Sequence, residues 1–595
     1  MNLAASLSAL FAPRTAPHLF GATRPNAPTR TDLQRWRMRF VLGTLFLCFG
    51  ALVAKALYLQ LWENDFLTRE GNKRFIRHVP IPAHRGMLLD SNGEPLAISV
   101  PAETIAINPR EAKATPQQID QLAKLLGRNP QELHNMIADK GRSFVYLKRQ
   151  AQQEDAQAVR ALGIPGISFH QEYRRYYTAG QVMAQVLGVT NTDDHGQEGI
   201  ESAYDAWLAG ENGVQQAIKD GRGNLIEELD LVRLPKHGRD LKLSLNLQIQ
   251  YLAWRELENA VREHDAKAAS AVVLDAKTGE ILAMANVPTY NPNDRSSMSA
   301  ERARNRAVTD LFEPGSTMKP LFVSAALEAG IVNPKTRIDT GNGSFYLAGK
   351  PITDTHPKGI LTVAQAIQVS SNVAMAKIAF DTPNEVYGVF LSKLRLGHKP
   401  ASGLLGEASG RIAPYKHWSD VTKASMSYGM GMSVSLLQLA RAYTVFANDG
   451  VIKPVTLRKN SEKESGEQIM RPGNARQVLA MLESVTAEEG TAPLARVAGY
   501  RVAGKTGTAR KVENGHYAPH KYVGSFVGMA PASNPRVIVA VMIDEPRGLH
   551  YYGGLTAAPV FSRIMSGAMR FLAVPPDMPM EAPKPPRAPI VEEIA

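Results

Sequence analysis

In "DLFEPGSTMKPLF", Asp310 to Phe322, a hydroxyl and an amine stand three residues apart: Ser316, directly after Pro314-Gly315, and Lys319. Pro and Gly end an irregular stretch, and "STMKPLFVSAALEAG" then predicts an amphipathic helix closed by Gly330. Ser316 falls in its first turn. Residues three apart share a helix face, so the Lys319 amine is expected to reach the Ser316 hydroxyl. A serine at a helix start with an amine in reach is the pattern of an activated nucleophile. Taken alone, the stretch fits an N-cap serine and a solvated lysine at least as well. Two further triplets carry polar groups of the same kind, Ser370-Ser371-Asn372 and Lys505-Thr506-Gly507. Each is weak singly, since about one Ser-x-x-Lys and one Ser-x-Asn arise by chance in a chain this long. Ser244-Leu245-Asn246 and Lys277-Thr278-Gly279 are decoys of the second and third triplets. The Lys277 copy reads better as a hairpin turn with glycine supplying positive φ. Order decides between the copies: only Ser370/Asn372 and Lys505 follow Ser316.

The elements that must position these groups are legible in outline. "RDLKLSLNLQIQYLAWRELENAVREH" predicts an alternating strand running into a long helix, and "ASAVVLDAKTGEILAMANVP" two strands about the Lys277 turn. "RVAGKTGTAR", "YVGSFVGMAP" and "RVIVAVMID" predict three late strands, followed by a helix near Ala557 to Phe571. Ser316 and Ser370 lie in a mostly helical middle, and Lys505 on a late strand. A sheet bracketed by sequence-distant helices makes this an α/β domain. Before it, "HVPIPAHRGMLLDSNGEPLAIS" predicts strand, turn, strand, with Ser91-Asn92-Gly93 as the turn. "TPQQIDQLAKLLG" and "NPQELHNMIADKG" predict capped helices ending on Gly127 and Gly141. No cluster of reactive groups stands out between Trp62 and Lys236, so that region reads as a spacer or docking module.

The 595 residues suggest two or three domains, and 44% hydrophobic with 21% charged residues is ordinary globular composition. The net charge is +12, and Arg14, Arg24, Arg30, Arg35, Arg37 and Arg39 precede Phe40 against Asp32 alone. With no zinc-ligand spacing, P-loop or RNA-binding signature, this basicity is weak evidence for nucleic acid, and no nucleic-acid partner is expected. The single cysteine, Cys48, rules out an internal disulfide and argues against thiol catalysis. It lies in "FVLGTLFLCFGALVAKALYLQL", Phe40 to Leu61, long enough to cross a bilayer with one charge, Lys55, near its end. Ala54-Lys55-Ala56 offers a signal-peptide site, but the 39-residue approach is long and apolar residues continue past it. Leu47 before Cys48 does not fit a lipoprotein. The stretch therefore reads as a retained anchor. Arginines before it, with Glu63 and Asp65 after it, place the N-terminus in the cytoplasm.

Ser-x-x-Lys, Ser-x-Asn and Lys-Thr-Gly in this order are the signature set of class A β-lactamases and penicillin-binding proteins. The chain resembles the class B penicillin-binding proteins from the anchor to about residue 570. "RNRAVTDLFEPGSTMKP", "YGMGMSVSLLQLARAYTVFANDG", "AGKTGTARK" and "YYGGLTAAPVF" are similar to that family's transpeptidase domain. "HRGMLLDSNGEPLA", "EYRRYY" and "GQEGIE" resemble its non-catalytic pedestal. The wording is most similar to the division-specific FtsI type, with the elongation type second. The middle motif reads Ser-Ser-Asn rather than Ser-Asp-Asn, which lowers the standing of a class A β-lactamase.

The resemblance implies an architecture: a cytoplasmic basic segment (1–39), an anchor (40–61), a mixed α+β pedestal (62–236), a transpeptidase domain (237–574) and a proline-rich disordered tail (575–595). The transpeptidase domain is expected to be serine β-lactamase-like, a sheet flanked by helices plus an all-helical subdomain. The resemblance also implies a D,D-transpeptidase of septal peptidoglycan. Ser316 would attack a D-Ala-D-Ala stem peptide, with Lys319 as base, Ser370 relaying the proton and Asn372 holding the substrate amide. Lys505, Thr506 and Thr508 would bind the terminal carboxylate, and Gly507 would let substrate lie against the strand. The backbone N–H groups of Ser316 and Thr508 would form the oxyanion hole. No metal or organic cofactor is expected. Implied partners are stem peptides, β-lactams, the membrane, a SEDS-family glycosyltransferase and other divisome membrane proteins. Implied locations are the inner membrane and the septum, with the catalytic part periplasmic. Alternatives are a serine β-lactamase, a D,D-carboxypeptidase, or an assembly protein with vestigial catalytic residues.

Overall fold

The computed structural model describes residues 31–67, 76–219, 225–459, 465–513, 515–548 and 550–579. Arg14, Arg24 and Arg30 of the basic segment, and the tail from Met580, lie outside them. The chain divides into two compact units. The first takes in Met1–Val79 and Gln215–Val232, and the second Pro80–Val214 with Arg233–Ala595.

In the first unit, Thr31–Leu61 is one helix of 31 residues, and Arg35–Leu61 is long and apolar enough to cross a membrane. At 1.5 Å per residue this helix outreaches a hydrocarbon core of about 30 Å. A three-stranded sheet runs in the order Ile76–Ile81, Gly213–Lys219, Leu225–Arg233.

The second unit opens with the predicted strand, turn and strand. Leu88–Leu89 pairs antiparallel with Pro95–Ile107 across a turn in which Gly93 has φ +95°. The long strand also carries Val145–Ala151 and Ile167–Tyr177 as antiparallel neighbours. Three helices, Pro116–Leu126, Pro130–Ala138 and Gln153–Ala161, close a separate small core with this sheet around Ile105, Leu122, Leu133, Leu147 and Val159. Thr115 caps the first helix in a full capping box, and left-handed Gly127 ends it as predicted. The second helix stops earlier than Gly141. Asp139 leaves the helix and its carboxylate accepts the Gly141 N–H at 3.2 Å, a local bond that competes with another helical turn.

Leu88–Leu89 pairs in parallel with Leu241–Lys242, which joins the pedestal sheet to the start of the larger domain. There Asn246 caps the predicted long helix, Leu247–Glu263. The main sheet is antiparallel, in the order Ile281–Val287, Ala268–Asp275, Val537–Asp544, His516–Ala530, Ala503–Glu513. Ile281–Val287, Ala268–Asp275 and Val537–Asp544 are buried on both faces nearly throughout, which is why they read as continuous rather than alternating hydrophobic runs. Leu247–Glu263 and Ala558–Phe571 pack together on this sheet. A Cβ on Gly567 would stand 2.1 Å from Leu252 Cδ2, so the glycine lets the Leu252 side chain lie against the helix at the crossing. Ala503–Glu513, with the third motif, is the last strand of the sheet and among the described residues pairs only with His516–Ala530.

The nucleophile segment departs from the predicted amphipathic helix. Gly315–Met318 is a 3-10 turn that feeds the helix Lys319–Glu328, and every residue from Lys319 to Leu327 is buried. A helix enclosed on all sides shows no polar face. It ends at Gly330, in the left-handed region at φ +72°, as predicted. Beside it stand the helices Val363–Gln368, Asn372–Asp381 and Asn384–Lys393 of the helical middle and the later helix Pro472–Ser484, while Asp420–Ser427 packs on Asn372–Asp381. Phe322 and Tyr387 pack ring to ring at 4.7 Å. Burying one such side chain contributes about 1.5–3 kcal/mol, which holds the nucleophile helix against this layer.

Candidate active site

Three segments distant in sequence meet at Lys319. Its amine is wholly buried and donates to Ser370 O at 2.5 Å, Ser370 Oγ at 3.1 Å and Asn372 Oδ1 at 2.8 Å. From the other side Lys505 Nζ, also wholly buried, approaches Ser370 Oγ at 2.9 Å. Lys319, Ser370, Asn372 and Lys505 are thus neighbours, and Ser316 lies in the turn that leads into Lys319. One detail differs from the helix-face argument: the Lys319 amine hydrogen-bonds the middle motif and not the Ser316 hydroxyl, while the Lys319 backbone N–H donates to Ser316 O. A 3-10 turn stacks positions three apart, so it does not separate the two; the amine is instead taken up by the acceptors of the middle motif.

Burial pushes the Lys319 ammonium well below the usual lysine range, and the positive charge of Lys505 pushes it further, while Asp354 opposes. A neutral amine has two N–H groups and one lone pair. Two of its neighbours, Ser370 O and Asn372 Oδ1, are pure acceptors, so they take the two N–H groups. The lone pair is left for a hydroxyl. Burial lowers Lys505 to about 7.

Ser370 aims both its carbonyl and its hydroxyl at Lys319 by adopting φ +61°, a left-handed conformation rare for residues other than glycine. Ser371 then caps the helix Asn372–Asp381, with its Oγ accepting the Ala374 N–H at 3.0 Å. Asp354 completes the cap: its carboxylate accepts the Asn372 N–H at 2.6 Å, the Val373 N–H at 3.0 Å and the Ser371 hydroxyl at 2.6 Å. An anion at a helix N-terminus is favoured there. Asn372 has both ends of its amide engaged, Oδ1 with Lys319 and Nδ2 with Thr353 O at 3.0 Å. A substrate amide would have to share or displace one of these bonds.

Along Ala503–Glu513 the side chains alternate. Thr506 Oγ1 meets Thr491 Oγ1 at 2.9 Å and Lys505 Nζ at 3.3 Å, and Thr508 Oγ1 accepts the Gly553 N–H at 3.0 Å. The glycine between them is required by packing. A Cβ on Gly507 would stand 2.4 Å from Ser525 Oγ, 2.7 Å from Pro314 O and 3.0 Å from Thr317 Cγ2. Glycine lets the strand press against the turn that carries Ser316. The same approach brings Thr508 to Gly315, where a Cβ would lie 3.1 Å from Thr508 O and 3.4 Å from Thr508 N. The Ser316 N–H, in a first helical turn without an intrahelical acceptor, is therefore beside the Thr508 backbone.

Three residues at the site were not found by sequence reasoning. Tyr443, wholly buried, donates to Thr317 O at 2.7 Å, one residue past the nucleophile. Glu313 accepts the Gly431 N–H at 2.7 Å and the Tyr517 hydroxyl at 3.1 Å, tying the nucleophile loop to two others. Burial raises the Glu313 carboxyl, and burial beside that carboxylate pushes Tyr517 up to about 12. Asp354 is the third, and lies in a loop with no local signal. Lys277 is in the predicted hairpin turn, with Gly279 at φ +77°, far from these groups in the fold. It is not fully solvated, however: its amine donates to Ala447 O at 2.9 Å.

Residues 269–566 match the model of the penicillin binding protein transpeptidase domain, and residues 80–243 that of the penicillin-binding protein dimerisation domain. The Neisseria meningitidis protein named "Probable peptidoglycan D,D-transpeptidase PenA" is 42% identical over 550 residues, 92% of this chain and 94% of that protein. The Escherichia coli protein named "Peptidoglycan D,D-transpeptidase FtsI" is 38% identical over 559 residues, 91% of this chain and 93% of its own. Among solved structures, the transpeptidase domain of Burkholderia pseudomallei penicillin-binding protein 3 is 46% identical with a TM-score of 0.53, covering 57% of this chain and 98% of that one. A peptidoglycan synthetase from Bifidobacterium adolescentis is 27% identical with a TM-score of 0.67, over 85% and 98%. A dimerisation domain followed by a transpeptidase domain, matched along most of the chain, makes this protein a member of the penicillin-binding protein transpeptidase family.

Proposed function

We propose that the protein is a membrane-anchored peptidoglycan D,D-transpeptidase of cell division that works through a Ser316 acyl-enzyme. The observation that carries the reading is the convergence of two buried lysines on Ser370 Oγ, with Lys319 held toward its neutral form. Neutral Lys319 takes the Ser316 proton as Oγ bonds the penultimate D-Ala carbonyl carbon, and charge develops on the carbonyl oxygen. The Ser316 and Thr508 N–H groups receive that charge, each worth roughly 3–4 kcal/mol where a comparable donor has been removed. Collapse breaks the peptide bond, and the leaving amine of terminal D-Ala takes a proton through Ser370 Oγ. A neighbouring stem peptide's amine then attacks the ester, its proton passes to Lys319, and Ser316 is restored. Lys505, Thr506 and Thr508 hold the terminal carboxylate, which β-lactams also carry. Asn372 orients Lys319 and meets the substrate amide.

The resting structure has the Lys319 amine bonded to Ser370 rather than to the Ser316 hydroxyl. Such bonds are often loose before substrate arrives and tighten in the complex. The layout follows the segments expected from sequence: cytoplasmic segment 1–39, anchor 40–61, pedestal 62–236, transpeptidase domain 237–574 and tail 575–595. The catalytic part then faces the periplasm. The division role rests on the motif wording and on the likeness to the protein named FtsI. A SEDS-family glycosyltransferase is the membrane partner that this reading implies.

Intact mass after exposure to penicillin tests the chemistry. One long-lived adduct on Ser316 is expected, and none on Ser316→Ala. Rapid loss of the adduct with drug hydrolysis would point to a β-lactamase. Depletion should block septation and give filaments; cells that round up instead would assign the protein to elongation.

A further inference from the structure

Thr491 belongs to none of the three motifs. It lies in "EEGTAPLA", and among the described residues its hydroxyl meets Thr506 Oγ1 at 2.9 Å. We infer that Thr491 is a positioning residue: its hydroxyl donates to Thr506 and so turns the Thr506 proton toward the anionic end of the ligand. The inference rests on the proposed reading that Thr506 binds a carboxylate.

A hydroxyl has one proton to give and two acceptor sites. Thr506 Oγ1 receives the Lys505 amine at 3.3 Å on one site and Thr491 on the other. With both acceptor sites filled, the Thr506 O–H has no use left except to donate outward. The opposite sense, Thr506 donating to Thr491, would present a lone pair to an incoming carboxylate, and two acceptors repel. Thr506 is 8% exposed, so little water can reset its hydroxyl. Thr491 is itself held in place by the backbone. A Cβ on Gly554 would stand 2.4 Å from Thr491 O and 3.5 Å from Thr506 Cγ2, so the short helix Gly553–Thr556 presses on both threonines. That helix also donates the Gly553 N–H to Thr508 Oγ1, which fills an acceptor site on the second threonine of the strand. Both hydroxyls along the edge strand are thereby supplied with donors from behind and left as donors in front.

The test compares a penicillin with its carboxylate methyl ester as acylating agents of the full-length, detergent-solubilised protein. Second-order rates are read on wild type, Thr491→Val and Thr491→Ser. Valine keeps the shape and removes the donor. Thr491→Val is expected to slow the free acid about two- to tenfold, the range of one neutral hydrogen bond, and to slow the ester less. Preference for acid over ester should therefore fall, and Thr491→Ser should restore it. A role confined to packing would slow both ligands equally, and that result, or an unchanged preference, overturns the inference. Absence of acylation in wild type would instead remove the acyl-enzyme reading beneath it, and it is seen before any variant is compared.

Discussion

Lys505 Nζ lies 2.9 Å from Ser370 Oγ although the two residues are 135 positions apart in the chain. The same hydroxyl is 3.1 Å from Lys319 Nζ, so Ser370 bridges two buried amines. Its left-handed backbone makes this possible, because the carbonyl and the hydroxyl then point the same way.

Ser370 should consequently separate backbone from chemistry. Ser370→Ala removes only the hydroxyl and keeps a Cβ at φ +61°, whereas Ser370→Gly removes the whole side chain and suits that φ, so the melting temperature of the glycine variant should equal or exceed that of the alanine variant. Both variants should lose acylation by about 10²-fold or more, the usual scale of a positioned proton-transfer group. Melting curves and acylation rates on the two variants check this. A fully active Ser370→Gly would show that the carbonyl alone matters.

The two Lys-Thr-Gly copies form an internal control. Lys505→Ala should slow acylation by penicillin at least roughly tenfold, since a charge-assisted hydrogen bond is worth about 1.5–3 kcal/mol. Lys277→Ala should acylate at nearly the wild-type rate. Its bond to Ala447 O makes it more than a solvated lysine, so a stability loss of about 1 kcal/mol is expected rather than none. Second-order acylation with one fluorescent penicillin, alongside thermal melts, distinguishes the two.

The pH profile of acylation carries a sign. Lys319 must be neutral, so the rate rises with pH through its titration. Removing the Lys505 charge takes away one of the two effects that depress Lys319. The acid limb in Lys505→Ala should therefore move to higher pH. On the alkaline side, wild-type Lys505 loses its charge near pH 7 in the free enzyme, and affinity for an anionic ligand should weaken above that. Stability runs the other way. The folded group binds its proton more weakly than the unfolded one does, with its value moved from the ordinary 10.5 to about 7. Its contribution therefore becomes more favourable as pH rises from about 7 to about 10.5. Lys505→Met should flatten that part of the stability curve, measured by denaturant unfolding at several pH values.

Gly507→Ala tests the contact between strand and nucleophile turn. The added methyl meets the Pro314 carbonyl and the Ser525 hydroxyl at 2.7 and 2.4 Å, and Pro314 is backbone that cannot turn aside. Overpacking of this kind costs about 1–3 kcal/mol and should shift Ser316 with it. Acylation should fall by more than tenfold while the protein remains folded by circular dichroism. If affinity for ligand falls but the maximal acylation rate does not, the glycine serves the ligand.

What the sequence determined was local. The late apolar strands, the Ser91-Asn92-Gly93 and Lys277-Thr278-Gly279 turns, the capped helix from Thr115 to Gly127 and the Gly330 stop are all written in residues within a few positions of one another. Capping, periodicity and turn chemistry act over that range. The order of the three motifs was also legible, and it selected the groups that the fold brings together. Tertiary structure decided the rest. That the Lys319 amine bonds Ser370 rather than the Ser316 hydroxyl, that Asp354 and Tyr443 support the site, and that Thr491 backs Thr506 depend on elements brought close only by packing. Gly507 shows the reason most plainly. A glycine in a strand says that something approaches closely, but only the folded chain places the Pro314 carbonyl there.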